Sequence, residues 1–302
     1  MRAFDGGGGE GRRRDPVSGT MAERLTALLG REVRRAARAG SNHDWDIFYA
    51  ELVDGTRLFV KSLSRGVPVS PVLSTEARGL DWLGQAFGSP AIEVVAWDER
   101  IVVLPWVEER EPTPRAAEWL GRQLAGMHLA GADSFGAEWP GFIGPLPVDN
   151  TPSRDWPSFY AEQRLRPFLR RAVDQGGLTP ADGRIIEKVV DAVPDLAGAP
   201  EPPARVHGDL WNGNVIWRDS DAVLVDPSAH GGHREADLAM LALFGLPHLD
   251  RVRDAYNEAA PLAEGWRSRV ALHQLYPLLV HVCLFGAAYR TTTLEAARAA
   301  LS

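Results

Sequence analysis

In the stretch RVHGDLWNGNVIW, residues 205–217, one carboxylate, Asp209, and two carboxamides, Asn212 and Asn214, crowd into a glycine-broken turn just before an alternating apolar run. Burying such groups is costly unless each finds a partner, so they are either turn formers or ligands for something polar. Asp, Asn and Gly are ordinary turn residues, and any one of them alone would suggest nothing more. A second apolar run, AVLVD, follows the polar turn Arg218–Asp221. A hairpin built from the two runs returns the chain so that Asp226 ends near the loop of Asp209 and Asn214. Three oxygen-bearing side chains converging there suit a hard divalent cation such as Mg²⁺, which takes few carboxylates and completes its shell with phosphate oxygens.

An Asp, an Asn five residues later, a strand pair and then a second Asp is the spacing of kinase-type phosphoryl transfer, with a base followed by two metal ligands. That chemistry needs a lysine on a strand and a carboxylate on a helix to hold ATP. Lys61 closes the strand RLFVK, and Glu76 lies near the start of the next expected helix. Alone, the two would read as an exposed lysine and a glutamate complementing a helix N-terminus. VVLPWVEE is the expected connector between lobes, where adenine can be read by backbone alone: Pro105 keeps its carbonyl although it lacks an N–H, and Val107 offers an N–H. The phosphate-covering loop is expected between the first helix and Lys61. Only Gly40, Ser41 and Asn42 are available there, a short turn able to present N–H groups to an anion.

The elements that must position these groups fall into two unequal parts. Residues 22–39 carry Leu25, Leu28, Leu29 and Val33 at helical spacing. DIFYAELVDGTRLFVKSL reads as a hairpin turning at Asp54-Gly55. Ser74 or Thr75 is the expected cap of a helix reaching about Gln85, and AIEVVAW and RIVVLPWV form a second strand pair. From Thr113 onward the pattern is helical, over 116–130, 157–175, 180–193, 235–244, 250–262, 266–286 and 293–301, with a β island at 215–226. The expected class is α+β and bilobal: residues 1–20 a disordered extension, 21–108 a small β-rich lobe, 109–302 a larger helical lobe. Met21 opens the expected folded structure and is a candidate translation start.

Length and composition agree. The 302 residues, 45% hydrophobic, are enough for about two domains or one bilobal unit. A net charge of −7 leaves no Lys/Arg excess to neutralise phosphates, which argues against nucleic-acid binding. Cys283 is the one cysteine, and it reads as a small buried hydrophobe. The apolar run Leu275–Ala288 is too short to span a bilayer, and no secretory segment opens the chain. The expectation is a cytoplasmic protein without a membrane partner.

The strings VHGDLWNGNVIW, VDPSAHGGHREADLAMLALFG and HQLYPLLVHVCLFG resemble the fructosamine kinase, or ketosamine 3-kinase, family from about Gly40 to Tyr289. HGD with Asn five residues later is shared with the wider aminoglycoside phosphotransferase and choline kinase group, whereas Leu-Trp after the Asp and His-Arg-Glu before ADLAM point to the ketosamine branch. The resemblance implies a protein-kinase-like fold and ATP-dependent phosphorylation of a sugar hydroxyl on a small-molecule or protein-bound ketosamine, by a monomer or weak homodimer. Asp209 is then the base, Asn214 and Asp226 hold Mg²⁺, and Lys61 and Glu76 hold ATP. Trp211, His233, Arg234 and Glu235 are candidate substrate contacts, while His207 and Asp237 brace the loop. The sequence departs from the family where Pro105 takes an acidic position and where AHGGHRE lacks the usual aromatic. Two other readings stay open: a kinase for another small molecule, or a nucleotide-binding regulator without turnover.

Overall fold

The computed structural model describes residues 20–42 and 44–302. The expected disorder of residues 1–20 therefore lies outside the described residues except for Thr20. That residue caps the first helix, α1 (Met21–Leu29), in a reciprocal capping box with Glu23. Gly30 at φ +62° ends α1, its N–H donating to the Thr26 carbonyl. The helix expected to continue toward residue 39 is corrected here: β1 (Val33–Asn42) begins three residues after that glycine. Apolar spacing alone carries the helical pattern across the left-handed break, which the backbone does not follow.

β1 pairs with β2 (Trp45–Leu52), and β2 turns at Asp54-Gly55 into β3 (Arg57–Leu63), as the Asp-Gly signal requires. The helix α2 (Val72–Gly84) follows, then the two-residue strand β4 (Ala96–Trp97) and β5 (Ile101–Pro105). Together the strands form a sheet in the order β1-β2-β3-β5-β4. The cap expected at Ser74 or Thr75 is corrected: α2 starts after Pro71 with no side-chain cap, and the Ser74 hydroxyl donates to the Pro71 carbonyl. α2 lays Leu73, Ala77 and Leu80 on the sheet against Phe59, Val102 and Leu104. The opposite sheet face is closed by Leu25 of α1 packed with Leu52, Leu58 and Val60.

The remainder is mostly helical. It comprises α3 (Pro114–Leu129), the short pair β6 (Gly141–Ile143) and β7 (Leu146–Val148), α4 (Trp156–Phe159), α5 (Arg166–Asp174) and α6 (Pro180–Leu196). The helix expected over 157–175 is interrupted, because Tyr160–Leu165 is a π-helical turn between α4 and α5. Then come β8 (Ala204–Val206), β9 (Val215–Trp217), β10 (Ala222–Leu224), β11 (His230–Gly232), α7 (Glu235–Phe244), α8 (Leu249–Ala259), α9 (Trp266–Phe285) and α10 (Arg290–Ala300). The β island at 215–226 is therefore not the one exception: β6, β7, β8 and β11 join it. β8 and β11 pair across some two dozen residues, so no local hairpin signal announces them. Trp266–Ala300 forms one helical stretch that is long and apolar enough to cross a membrane by length and composition, which the apolar run alone does not suggest; half of its apolar window is buried inside the fold.

Two elements fix the body around the site. β9 and β10 form the expected hairpin, with Leu224 opposite Val215, and bonds between Leu224 and the Pro90–Ile92 segment tie it to the sheet-bearing part. α3 crosses α8 at Gly121, where a Cβ would sit 2.2 Å from the Val252 carbonyl oxygen. Backbone cannot yield as a side-chain tip can, so Gly121→Ala must push the two helices apart. We expect a loss of about 1–3 kcal/mol, read as a lowered denaturation midpoint at unchanged m-value.

Candidate active site

β8 and β11 pair side by side, Val206 opposite His230, and hold the loop 207–214 between them and the β9–β10 hairpin. The loop turns at Gly208, φ +78°, where a Cβ would meet the Ser228 carbonyl oxygen at 2.3 Å, so only glycine passes. Asn212–Asn214 close it as a turn of 3₁₀ helix.

The loop is held from below by Asp237. This buried carboxylate on α7 accepts the N–H groups of His207 (2.7 Å) and Gly208 (2.9 Å), and His128 Nε2 lies 3.1 Å away. Burial pushes the Asp237 carboxyl up, but His128, His207 and the Gly208 N–H together bring it below its ordinary range. His128 continues the chain to the Tyr256 hydroxyl at 2.8 Å. His207 accepts the Asp209 N–H on Nδ1, so its proton sits on Nε2 and is donated to the Val225 carbonyl. Burial keeps that ring neutral by lowering its pKa. The bracing role expected of His207 and Asp237 matches this geometry. His128 was missed, since a lone histidine on the apolar face of α3 carries no signal of a carboxylate 109 positions away.

Asp209, Asn214 and Asp226 do converge. Asn214 Nδ2 donates to the Asp209 carbonyl at 2.8 Å, to Asp209 Oδ2 at 3.3 Å and to the Asp226 carbonyl at 3.4 Å. Its NH₂ is thereby spent on the loop, and the amide oxygen is the atom left to meet a ligand. Asp226 follows β10 at φ +58°, a left-handed conformation that Asp tolerates better than most residues and that marks functional turns. Its half-exposed carboxylate receives Lys61 Nζ at 2.5 Å. The same ammonium meets Glu76 Oε1 and Oε2 at 2.9 and 3.0 Å. An amide oxygen and a carboxylate side by side, with the nucleotide's phosphates to complete the shell, fit a hard cation.

Lys61 sits mid-sheet, opposite Ile47 and Val102, and is 5% exposed. Burial disfavours its charge, but Asp226 and Glu76 outweigh that and raise its pKa. Burial raises the Glu76 carboxyl, Lys61 pulls it down, and the balance lies upward. Asp209 is pushed up to about 7, first by burial and then by the charge of Asp226, with the Asn214 hydrogen bond pulling the other way.

Other expected residues divide. Pro105 stands opposite Leu58, while Trp106 N–H bonds the Arg57 carbonyl. Alternation along the pair therefore turns the Pro105 carbonyl away from β3, and Val107 follows it, half-buried. The Gly40-Ser41-Asn42 turn is corrected: all three lie in β1, opposite Ile47, Asp46 and Trp45, and the hairpin tip comes after them. Trp211 lines the cleft with Lys61, Asp209 and Asp226, and its ring folds over Gly213, whose Cβ would strike it at 2.3 Å. Trp45, Thr75 and Phe142 also line that cleft, without any sequence signal to announce them.

His233, Arg234 and Glu235 do not line that cleft. Arg234 is spanned by Glu201 at 2.7 Å on both nitrogens, and Glu235 takes Arg269 at 2.9 and 2.6 Å. Of the two roles open to them, tying the loop or meeting substrate, the ion pairs show the first: Arg234 is bound to Glu201 ahead of β8 and Glu235 to Arg269 on α9, while His233 lines a separate cavity. His233, Glu235 and His273 could ligate a metal, their ligand atoms lying within 4.8 Å of one another. The Arg269 guanidinium already covers both Glu235 oxygens, however, and its charge opposes a cation there.

A strand lysine paired to a helix carboxylate, facing an Asp–Asn–Asp loop on a helical body, defines a phosphotransferase of protein-kinase-like fold. The chain belongs to the fructosamine kinase family, whose model matches residues 21–302. A crystal structure of a candidate fructosamine-3-kinase from Thermobifida fusca is 66% identical, with a TM-score of 0.92, covering 93% of this chain and 98% of that one. A probable ketoamine kinase from Thermus thermophilus is 35% identical over 74% of this chain and 80% of its own. The chloroplastic protein-ribulosamine 3-kinase of Arabidopsis thaliana is 38% identical over 58% of this chain and 54% of its own. The protein is a phosphotransferase with an alcohol group as acceptor.

The raised Asp209 carboxyl is directly measurable. A ¹³C-carboxylate NMR titration of the nucleotide-free protein is expected to give a midpoint near 7 for Asp209, neutral below and charged above. Adding a divalent cation with nucleotide should move the midpoint down, because it offsets the Asp226 charge that helps raise it. An ordinary carboxylate midpoint would contradict the burial assigned to this group.

Proposed function

We propose that the chain transfers the γ-phosphoryl group of ATP, bound with Mg²⁺, to a sugar hydroxyl of a ketosamine, free or on protein lysine. The observation that carries the reading is the convergence of Asp209, Asn214 and Asp226 beneath the Lys61–Glu76 pair in a chain of this family. Residues 21–108 serve as the nucleotide lobe and 109–302 as the catalytic and acceptor lobe. The Pro105 carbonyl and Val107 N–H meet adenine, and Lys61 meets the α- and β-phosphates.

Asn214 and Asp226 would hold Mg²⁺, which would supply neutralising charge to the phosphates. Asp209 orients the acceptor hydroxyl and takes its proton as the bond to phosphorus forms. Burial raises the basicity of this carboxylate, which favours receipt of the proton. Lys61 has two states available: on Asp226 as found, or shared between Glu76 and phosphate once the cation claims Asp226.

ADP release measured with fructose-lysine, ribulose-lysine, an aminoglycoside and choline tests the reading; turnover is expected with the ketosamines only. General-base help is worth about 10²–10⁴-fold, so Asp209→Asn should fold normally, bind Mg·ATP within a few-fold and lose turnover by that factor. Loss of folding along with activity would instead make Asp209 a turn brace. Asp226→Ala should abolish Mg²⁺-dependent ATP binding and turnover together, and unchanged activity would remove the metal assignment.

A further inference from the structure

A second cavity, of about 30 Å³, adjoins the loop at Gly208. Its wall includes Gly208, Trp156 and Phe159, together with Arg164 from the π-helical turn and His273 and Tyr276 from α9. The last two belong to HQLYPLLVHVCLFG, a string to which the phosphotransfer machinery gives no task. Among the described residues, Tyr276 OH, Arg164 Nε and His273 Nδ1 are buried without a hydrogen-bond partner. The three side chains are 8%, 2% and 2% exposed.

Each orphaned polar atom costs on the order of 1–3 kcal/mol, and such groups are seldom left unpartnered in native proteins. Three side chains carrying such atoms line one cavity, which favours a polar occupant. Arg164 also has no carboxylate in ion-pair contact among the described residues; its other nitrogens go to the Asp149 and Gln163 carbonyls and to Asn150 Oδ1. Aromatic faces beside mixed donors and acceptors are the chemistry that recognises a polyol. The volume admits one small polar group, a water molecule or the hydroxyl end of a hydroxymethyl group. The cavity adjoins the loop that carries the base, and the Asp209 charge is felt at the Tyr276 hydroxyl.

We propose that this cavity is the acceptor's sugar-length subsite: Tyr276, Arg164 and His273 receive the terminal hydroxymethyl group of the ketosamine sugar, so that the chain distinguishes hexose-derived from pentose-derived acceptors. The assignment rests on the ketosamine kinase reading and names its substrate more closely.

The test is steady-state kinetics of the full chain with fructose-lysine and ribulose-lysine. Tyr276→Phe removes a hydroxyl that has no protein partner, so melting temperature and KM for ATP should not fall or rise. KM for fructose-lysine should increase about three- to tenfold, the loss of one ordinary hydrogen bond, with a smaller change for ribulose-lysine. Ala236→Val, which narrows the same cavity from α7, should penalise fructose-lysine more than ribulose-lysine. Unchanged acceptor KM in Tyr276→Phe, as expected if the cavity holds only a structural water, overturns the subsite while leaving the kinase reading intact. Equal losses on both sugars in both variants also overturn it. No wild-type turnover on either ketosamine would overturn the reading itself, and the subsite with it.

Discussion

The site depends on one buried carboxylate. Asp237 takes two consecutive backbone N–H groups, those of His207 and Gly208, at the point where the loop must reverse. Without it those donors would be buried and unpaired, and the loop would have no reason to keep the left-handed turn at Gly208. The charge is tolerated because His128 approaches from α3 and is in turn tied to Tyr256 on α8. The position of Asp209 is thus set through side chains on three helices, α7, α3 and α8. Glu235, two residues before Asp237, repeats the device with Arg269 and anchors α7 to α9.

A second constraint links the two parts of the molecule. Lys61 is buried in the sheet yet bonded to Asp226 at the end of the catalytic hairpin, as well as to Glu76 on α2. An unpaired ammonium at that depth would be expensive, so the two carboxylates hold each other's neighbour in place. The arrangement also poises the site, since one carboxylate of the pair is the group a divalent cation would claim.

The chemistry-bearing residues were legible because their types and spacing are local. Asp209 and Asn214 lie five positions apart in one turn, and the strand pair that returns Asp226 is announced by apolar runs around Arg218–Asp221. The Asp54-Gly55 hairpin was legible for the same reason, since positive φ at Gly55 is written into the residue type. Helix spans such as Pro180–Leu196 followed from periodicity, and family resemblance in three strings supplied the class of acceptor.

What the sequence by itself determined, then, is whatever a few consecutive residues can encode: the loop, the hairpins, the helical runs and the α+β order. Contacts between distant segments were decided only by the tertiary structure. Nothing in the chain near Arg234 and Glu235 says that Glu201 and Arg269 will consume them, and nothing near His128 points to Asp237. The Gly40-Ser41-Asn42 turn became strand because pairing with Ile47, Asp46 and Trp45 outweighed local turn preference. The cavity lined by Arg164, His273 and Tyr276 likewise exists only where a π-helical turn and α9 meet at Gly208. Local propensity is worth tenths of a kcal/mol per residue. Burial and ion pairing across the fold are worth several, and those stronger interactions depend on neighbours that sequence order does not name.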